Sequence, residues 1–457
     1  MTVLSIPYGD PIAAFAPFST EPLSALLGGC GRYSTLAIRP FRVISADAAG
    51  VRVDGVPVAG DPFSVLAREL ATCPPSAAEI PEPFRTGAIG YFGYELGRHL
   101  ERLPAARPED FGIPDMMIGF YDLIAVFDHH ERTARVIGND ALDAGGLEQR
   151  AHALARQLAN TPPLPPLTWP GAAPVWRPEI TRRTYESRVA AVIDYIRAGD
   201  IFQANFTQGF FADLPPDITA FEIFRRLYAL APAPYAAFLA CGAGIHLCCA
   251  SPELFLDLNA DRRVMTRPIK GTRPRGRTPE ADRALLAELV ASSKDRAENL
   301  MICDLLRNDL GRVCEIGSVR VPRLIVPETF AAIHHLVSEV EGRLRPGSGV
   351  IDLLRACFPG GSVTGAPKIR AMEIIDALEA GRRGPYCGAI ARIGFDGTMD
   401  SAVTIRTLSI AQGRVIARAG GGIVADSVPA EEYLEMRTKI APLLATLGTC
   451  HDDDLVR

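Results

Sequence analysis

The chain of 457 residues is 48% hydrophobic and 22% charged, with a formal net charge of -5; it can bury a large core and exceeds one ordinary domain of about 100 to 200 residues. No basic stripe or tail offers the electrostatic footprint that nucleic acid requires, which leaves small-molecule chemistry as the default. Ten cysteines are scattered without a Cys-x-x-Cys pair or matching histidine spacing, so neither a zinc site nor a disulfide framework is indicated.

The opening "MTVLSIPYGDPIAAFAPF" lacks the positive n-region and uninterrupted apolar h-region of a secretory signal, which predicts a cytoplasmic protein. Residues 1–160 read as a first region of mixed strands, in which "MMIGFYDLIAVFDHH" and "RTARVIGN" predict a hairpin with a charged turn. Prolines then stiffen "TPPLPPLTWPGAAPVWRP", residues 161–178, into a linker. Beyond it the pattern changes: residues 179–446 carry the chemistry-bearing motifs, and 447–457 form a tail.

"TYESRVAAVIDYIRAGD" places Val189, Val192, Ile193 and Ile196 at helical spacing and stops at Gly199. "IFQANFTQGF" alternates Phe202, Ala204 and Phe206 with Gln203, Asn205 and Thr207, the pattern of a strand lining a polar cavity or of a half-exposed edge strand. The uncharged stretch from Ala229 to Ala250 is interrupted by Pro232, Pro234, Gly242, Gly244 and His246. It therefore predicts two short strands, and no membrane span.

"SPELFLDLNADRRVMTRPIK" has two strand-like runs around an Asn-Ala-Asp turn. A hairpin of this kind brings Glu253 and Lys270 within reach of each other, as acid and nucleophile or as a cross-strand salt bridge. Lys270 itself lies in "PIKGTRPRG", a Pro/Gly turn. It is either a solvated charge or, if its surroundings deprotonate it, a nucleophile. "SSKDRAENLMICDLLRNDLG" predicts a helix with a serine cap and a glycine stop, with Asp295 and Glu298 at i and i+3. "EEYLEMRTKI" repeats that geometry with Glu432 and Glu435, followed one turn later by Lys439. Each pair alone reads as a solvated helix face; converging from two helices, they would make an oxygen-rich cage suited to Mg2+.

Two glycine-rich segments remain. "FPGGSVTGAPKIRAMEIIDALEAG" is a loop entering a helix near Pro367, where free backbone N–H groups and Lys368 would hold an anion. Ala366 and Pro367 stand where a nucleotide loop needs Lys and Ser or Thr. "ARAGGGIVADS" offers bare backbone at Gly420, Gly421 and Gly422 for the close approach of a planar ligand.

As a set, "SPELF", "PIKGTRPRG", "KDRAENLMICDLLRNDLG", "IHHLVS", "FPGGSVTGAPKIRAMEIID", "YCGAIARIGFDGTMDSAVTIRT" and "AGGGIVADS" resemble the chorismate-utilising enzymes, essentially from Thr184 to Leu444. "FRTGAIGYFGYELGRHLERLP" is similar to the partner domain of anthranilate and aminodeoxychorismate synthases. The resemblance implies an α+β fold of the anthranilate-synthase component I type, two antiparallel β-sheets packed face to face with helices outside. It implies direct Mg2+ ligation by Glu298 and Glu435, with Asp295 and Glu432 acting through water. It places His335, Thr364 and Gly420 to Gly422 around the ring and its carboxylate, Tyr386 and Arg406 on the enolpyruvyl carboxylate, and Lys439 near the metal-carboxylate end.

In members that form anthranilate, salicylate or isochorismate, the position of Lys270 resembles a small residue, typically alanine; where chorismate is aminated at C4 it is lysine. The resemblance thus implies a covalent route through Lys270, with Glu253 as general acid. Water-adding members carry a lysine base where this chain has Gln203, and a neutral amide cannot deprotonate water. The implied substrates are chorismate and ammonia, with the product directed to 4-aminobenzoate and folate synthesis. Neither "GGCGR" nor "LACGA" fits the Gly-x-Cys-x-Gly turn of a glutaminase nucleophile, so a glutamine amidotransferase subunit, component II, is the implied partner. An anthranilate-forming enzyme and a non-catalytic chorismate- or tryptophan-binding homologue are the alternatives. Tryptophan-sensing relatives look like "LLES" where Leu26 and Leu27 are followed here by Gly28 and Gly29, so tryptophan feedback is not expected. Partial burial beside Arg273 or Arg275 is expected to supply Lys270 as the free amine.

Overall fold

Strands such as Gly87–Phe92 and Leu123–Asp128 are buried at every position, as expected of a sheet covered on both faces. In the computed structural model, which describes residues 2–75, 84, 86–104, 111–142, 145–169, 174–330 and 333–448, such strands assemble into two 12-stranded sheets. Every strand pairing in them is antiparallel.

The first sheet runs in the order Thr2–Ile6, Thr133–Gly138, Leu123–Asp128, Tyr33–Ala37, Ser24–Leu27, Tyr235–Gly242, Ile245–Ser251, Thr407–Ala411, Arg414–Ile423, Gln203–Asp213 and Arg177–Pro178, with Gly365–Ala366 also paired to Gln203–Asp213. The second runs Ile269–Pro274, Ile333–Arg343, Arg263–Arg267, Leu254–Leu258, Met399–Val403, Ala389–Gly394, Gly87–Phe92, Met116–Tyr121, Arg42–Asp47, Gly50–Val53 and Val56–Val58, with Arg320–Thr329 also paired to Ile333–Arg343. Strands from both sides of the proline-rich segment enter each sheet.

Three apolar clusters account for the stacking. One lies between the sheets and draws Ala25, Leu239 and Leu247 from the first and Ile89, Tyr91 and Ile390 from the second. A second packs the outer face of the first sheet against helices Arg182–Arg197, Ala220–Leu230 and Pro429–Leu444, through residues such as Phe206, Val189, Phe224 and Met436. A third packs the second sheet against Pro62–Ala71, Ser293–Gly311 and Val350–Cys357. The expected face-to-face sheets with outer helices are therefore the observed architecture.

One apolar run behaves differently from its reading. Thr133–Gly138 does form a hairpin with Leu123–Asp128, but Met116–Tyr121, just upstream, belongs to the other sheet. The chain changes sheets at Asp122, whose buried carboxylate accepts two hydrogen bonds from Arg150 at 3.0 and 2.5 Å. A charged residue in an apolar run marks the corner between layers. The stretch from Ala229 to Ala250 forms Tyr235–Gly242 and Ile245–Ser251, as read. Among the described residues no helix is long and apolar enough to cross a membrane. Residues 449–457 of the sequence-defined tail lie outside the described residues.

Candidate active site

Lys270 lies in a strand, not in the turn its Pro/Gly context suggested. Pro268 separates Arg263–Arg267 from Ile269–Pro274, and Lys270 pairs with Leu336 across the sheet. The register shifts between Lys270 and Thr272, around Gly271 at φ +78°. A Cβ at Gly271 would stand 2.9 Å from Leu289 and 3.0 Å from Asp295. Glycine thus permits both the irregularity and the close approach of the helices, and a bulge of this kind re-aims a side chain. The Lys270 ammonium donates to the Ser362 carbonyl at 3.3 Å.

The predicted hairpin exists, Leu254 pairing with Arg267, and Glu253 and Lys270 lie just beyond its open end. The Glu253 carboxyl is buried, and burial pushes its pKa up to about 6 against the opposing pull of the Ser362 hydroxyl, Lys270, the Ile269 backbone and Arg406. Acid, amine and guanidinium therefore share one cleft. The expectation that Arg273 and Arg275 bear on Lys270 is not met. Arg273 is drawn to Glu288 at 2.8 Å and Asp295 at 3.3 Å, and Arg275 to Asp282 at 2.7 Å.

Helix Ser293–Gly311 begins at Ser292, whose hydroxyl accepts from the Asp295 N–H, and it buries Glu298. Burial raises the Glu298 pKa, opposed by Lys270 and Lys294 and reinforced by Glu435 and Glu432. From helix Pro429–Leu444 come Glu432, buried and bonded to the Ser427 hydroxyl at 2.6 Å and Lys294 at 3.0 Å, and the exposed Glu435, paired with Lys439 at 2.7 Å. Lys439 holds the Glu435 pKa below the usual carboxylate range, with help from Lys294 and Lys270. Asp295 does not join these acids: Arg273 holds it beside Gly271. Among the described residues no three His, Cys, Asp or Glu side chains converge on one metal-sized point, since lysines stand between the acids.

The floor beneath them is bare backbone. A Cβ on Gly421 would come within 3.1 Å of the Glu432 carboxylate and 3.7 Å of the Lys439 ammonium. One on Gly422 would meet the Gln203 amide at 2.2 Å and Glu298 at 3.4 Å, and one on Gly420 the Phe206 carbonyl at 2.0 Å. Strand Gln203–Asp213 pairs with these glycines, Asn205 opposite Gly422 and Thr207 opposite Gly420. Of its two predicted faces, Gln203, Asn205 and Thr207 are all buried with Ala204 and Phe206, whereas Phe202 precedes the strand and is exposed. The strand is internal to the sheet, and the edge-strand reading fails.

At the far end, Arg406 sits at φ +50° after Met399–Val403; its carbonyl accepts from the Ala250 N–H at 3.0 Å, while its guanidinium makes no hydrogen bond among the described residues. Burial lowers its pKa while Glu253 raises it. His335 is buried, and burial together with Arg406 drives its pKa down to about 4, so the ring is neutral. Its Nδ1 lies 2.9 Å from the Thr272 hydroxyl, while Nε2 has no partner. The Gln203 amide oxygen is also buried without one. Buried polar atoms are nearly always bonded, and these two border the glycine floor and Arg406, where they are open to a substrate group. Tyr386 is buried, its phenol pushed up by burial, and the buried Thr364 hydroxyl donates to the Gly360 carbonyl at 3.0 Å.

Sequence reasoning passed over Ser362 and Lys294. Ser362 touches both Glu253 and Lys270, and its signal was its place inside the glycine-rich loop. Lys294 adjoins Asp295 in the helix motif. Lys368, read as an anion ligand, is committed elsewhere: its ammonium bonds the buried Asp309 at 2.7 Å and the Cys357 carbonyl at 2.9 Å.

This cleft, with an amine among carboxylates and a free guanidinium opposite, belongs to a known class. The model of the chorismate binding enzyme family matches residues 28–445, and the chain belongs to that family. Among its relatives, an aminodeoxychorismate synthase component 1 from Klebsiella aerogenes is 42% identical over 97% of this chain and 98% of its own. An anthranilate synthase component 1 from Thermus thermophilus is 39% identical over 95% of this chain and 94% of its own. The crystal structure of anthranilate synthase component I from Streptococcus pneumoniae superposes with a TM-score of 0.82 at 33% identity, covering 91% of this chain and 92% of that one.

Removing Lys368 tests its structural assignment. Lys368→Met leaves Asp309 buried without its cation, a loss typically worth about 3–5 kcal/mol. Denaturant unfolding should register that loss, while the KM for substrate in the fraction that folds should stay near the wild-type value. A large KM effect with unchanged stability would return Lys368 to anion binding.

Proposed function

We propose that this chain is the component that aminates chorismate to 4-amino-4-deoxychorismate. The observation that carries the reading is the Lys270 amine, held at the Ser362 carbonyl where its charge acts on Glu253, Glu298 and Glu435. The relatives named aminodeoxychorismate synthase component 1, at 41–43% identity, support it.

In this route the Lys270 ammonium first releases a proton to water, the free amine nitrogen forms a bond to ring C2, the ring double bonds shift, and the C4 hydroxyl leaves as water with the Glu253 proton. Ammonia then bonds to C4 and the reverse shift expels the Lys270 amine, leaving the enolpyruvyl ether intact. A carboxyl pushed up to about 6 beside an amine gives two groups in one cleft separate roles. Arg406 is free to pair with one substrate carboxylate, and the neutral His335 and the Gln203 amide supply bonding partners without adding charge. Gln203 is no base for water, which disfavours hydroxylation.

Glu298 and Glu435, with Glu432 acting through water, are the oxygen donors a hard cation prefers, and they would converge on one only as Lys294 and Lys439 give way. They would hold Mg2+, which when bound would neutralise the second substrate carboxylate. Asp295 would join only after leaving Arg273. With no glutaminase turn in the sequence, ammonia would come from a glutamine amidotransferase subunit, and a separate lyase would carry the product to 4-aminobenzoate for folate.

The test is product analysis with chorismate, Mg2+ and ammonium. Aminodeoxychorismate should form with ammonium but not with glutamine until an amidotransferase subunit is added; fluorescent anthranilate would mean the anthranilate-forming alternative. With ammonia omitted, intact-protein mass after quenching should show a chorismate-derived adduct that maps to Lys270. Lys270→Ala should lose that adduct and most turnover; wild-type rates in that variant would end the covalent route.

Glu253 sets a pH limb. As an acid it is competent below its pKa, so the kcat/KM for adduct formation should fall as pH rises through about 6. A bound dianion raises the carboxyl further, which places the corresponding limb of the single-turnover rate at higher pH. Glu253→Gln should be slow and lack the limb.

Glu298→Gln or Glu435→Gln should cut turnover by at least the roughly 10- to 100-fold that loss of a metal-orienting group costs. Each should also shrink the rise in melting temperature produced by Mg2+ with chorismate. An undiminished rise in both variants would remove the metal from these acids.

A further inference from the structure

Behind the cleft lies a buried ion pair that no step above uses. Glu379 follows helix Lys368–Leu378, and Arg383 stands four residues later; both side chains are buried. The guanidinium donates to both Glu379 oxygens at 2.9 and 2.6 Å, to the Asn205 carbonyl at 2.5 Å and to the Val363 carbonyl at 2.7 Å. Its face lies 4.5 Å from the centre of the Tyr94 ring. Glu379 in turn accepts from the Thr207 N–H at 2.8 Å and its hydroxyl at 2.9 Å. Glu95 accepts from the Arg383 and Gly384 backbone N–H groups at 2.9 and 3.0 Å.

These bonds tie together three walls of the site. Asn205 and Thr207 belong to the strand that begins with Gln203. Val363 lies between Ser362, which touches Lys270 and Glu253, and Thr364. Arg383 and Gly384 begin the turn that delivers Tyr386. A buried ion pair contributes little net stability relative to an apolar pair of the same size. A planar guanidinium, however, fixes several acceptors in one plane, which an ammonium cannot do.

We propose that Glu379 and Arg383 are positioning residues, which set the spacing of the Gln203 strand, the Ser362–Thr364 loop and the Tyr386 turn around the substrate. The inference rests on the amination reading for the identity of the reaction, but not for the existence of the pair's effect. Neither residue is given a contact with substrate; both act through Ser362, Gln203 and Tyr386. Arg383→Lys keeps a cation beside Glu379 but cannot hold both carbonyls. The double variant Arg383→Met with Glu379→Leu removes the pair without stranding a charge. Misplacement of reacting groups by about 1 Å can cost 10²-fold.

Steady-state kinetics with chorismate, Mg2+ and ammonium, alongside thermal unfolding, test the proposal. Both variants should keep a cooperative unfolding transition, lose roughly 30- to 100-fold in kcat, and change KM for chorismate by less than about threefold, the split expected when only reacting geometry is disturbed. Thr207→Val, which deletes one hydroxyl donor to Glu379, covers the case in which neither folds. Its kcat should fall by roughly 3- to 10-fold, the loss of a single bond. Rates are taken on whatever chorismate-derived product the wild type forms, so a product other than aminodeoxychorismate would refute the functional reading alone. A folded double variant with kcat within twofold of wild type, or an unaltered kcat in Thr207→Val when the other two do not fold, would overturn the positioning role.

Discussion

Charge balance around one lysine governs the cleft. Carboxylates at Glu253, Glu298 and Glu432 are buried, and burying an unpaired charge is prohibitively costly. Lys270 faces Glu253, Glu298 and Glu435, while Lys294 and Lys439 engage Glu432 and Glu435 from the rim. A divalent cation among Glu298, Glu432 and Glu435 would therefore compete with Lys294 and Lys439 and not enter an empty cage.

The topology explains why residues so far apart in sequence meet. Ile269–Pro274 closes one edge of the second sheet, and Gln203–Asp213 lies one strand from an edge of the first. Exposed sheet edges carry unpaired backbone groups and are usually covered. Here helices Pro279–Ala291 and Ser293–Gly311 cover the Lys270 strand, and the latter brings Glu298 with it. Gly365–Ala366 pairs with Gln203 and Ala204, which draws the loop containing Ser362 and Thr364 against the first sheet. Covering two edges thus gathers amine, acids and loop at one place.

The local signals in the sequence were strong where one element decided the outcome. Helix Arg182–Arg197, capped by Thr181 and ended near Gly199 at φ +84°, and the Glu432, Glu435 and Lys439 stripe followed from helical spacing alone. The sheet assignment of Met116–Tyr121 and Leu123–Asp128 did not, because one apolar run served two sheets and only Asp122 marked the break. Pro268 and Gly271 suggested a turn; tertiary pairing with Ile333–Arg343 made the segment a bulged strand. The partners of Asp295 and Lys368 were illegible for another reason. Spacing tells which face a side chain occupies, but not whether Arg273 or Asp309 waits across the gap. Arg383 and Glu379 carried no motif that separated them from an ordinary i,i+4 surface pair.

The same reasoning bears on what Lys270 changes chemically. An alanine there would leave Glu253 and Glu298 without the cation that favours the charged form of each. With lysine in place, part of the compensation is covalent to the chain and sits beside an acid whose pKa is pushed up to about 6. When the proposed adduct forms, the amine is carried onto the ring, so the carboxylates that had faced Lys270 now face a nitrogen bound to substrate. Their attraction for that nitrogen's positive charge stabilises the adduct, and expulsion of the amine by ammonia returns the original balance. On this reading Glu298 and Glu435 face the amine before the reaction, and the Glu253 carboxylate left by proton transfer joins them in stabilising the cationic adduct.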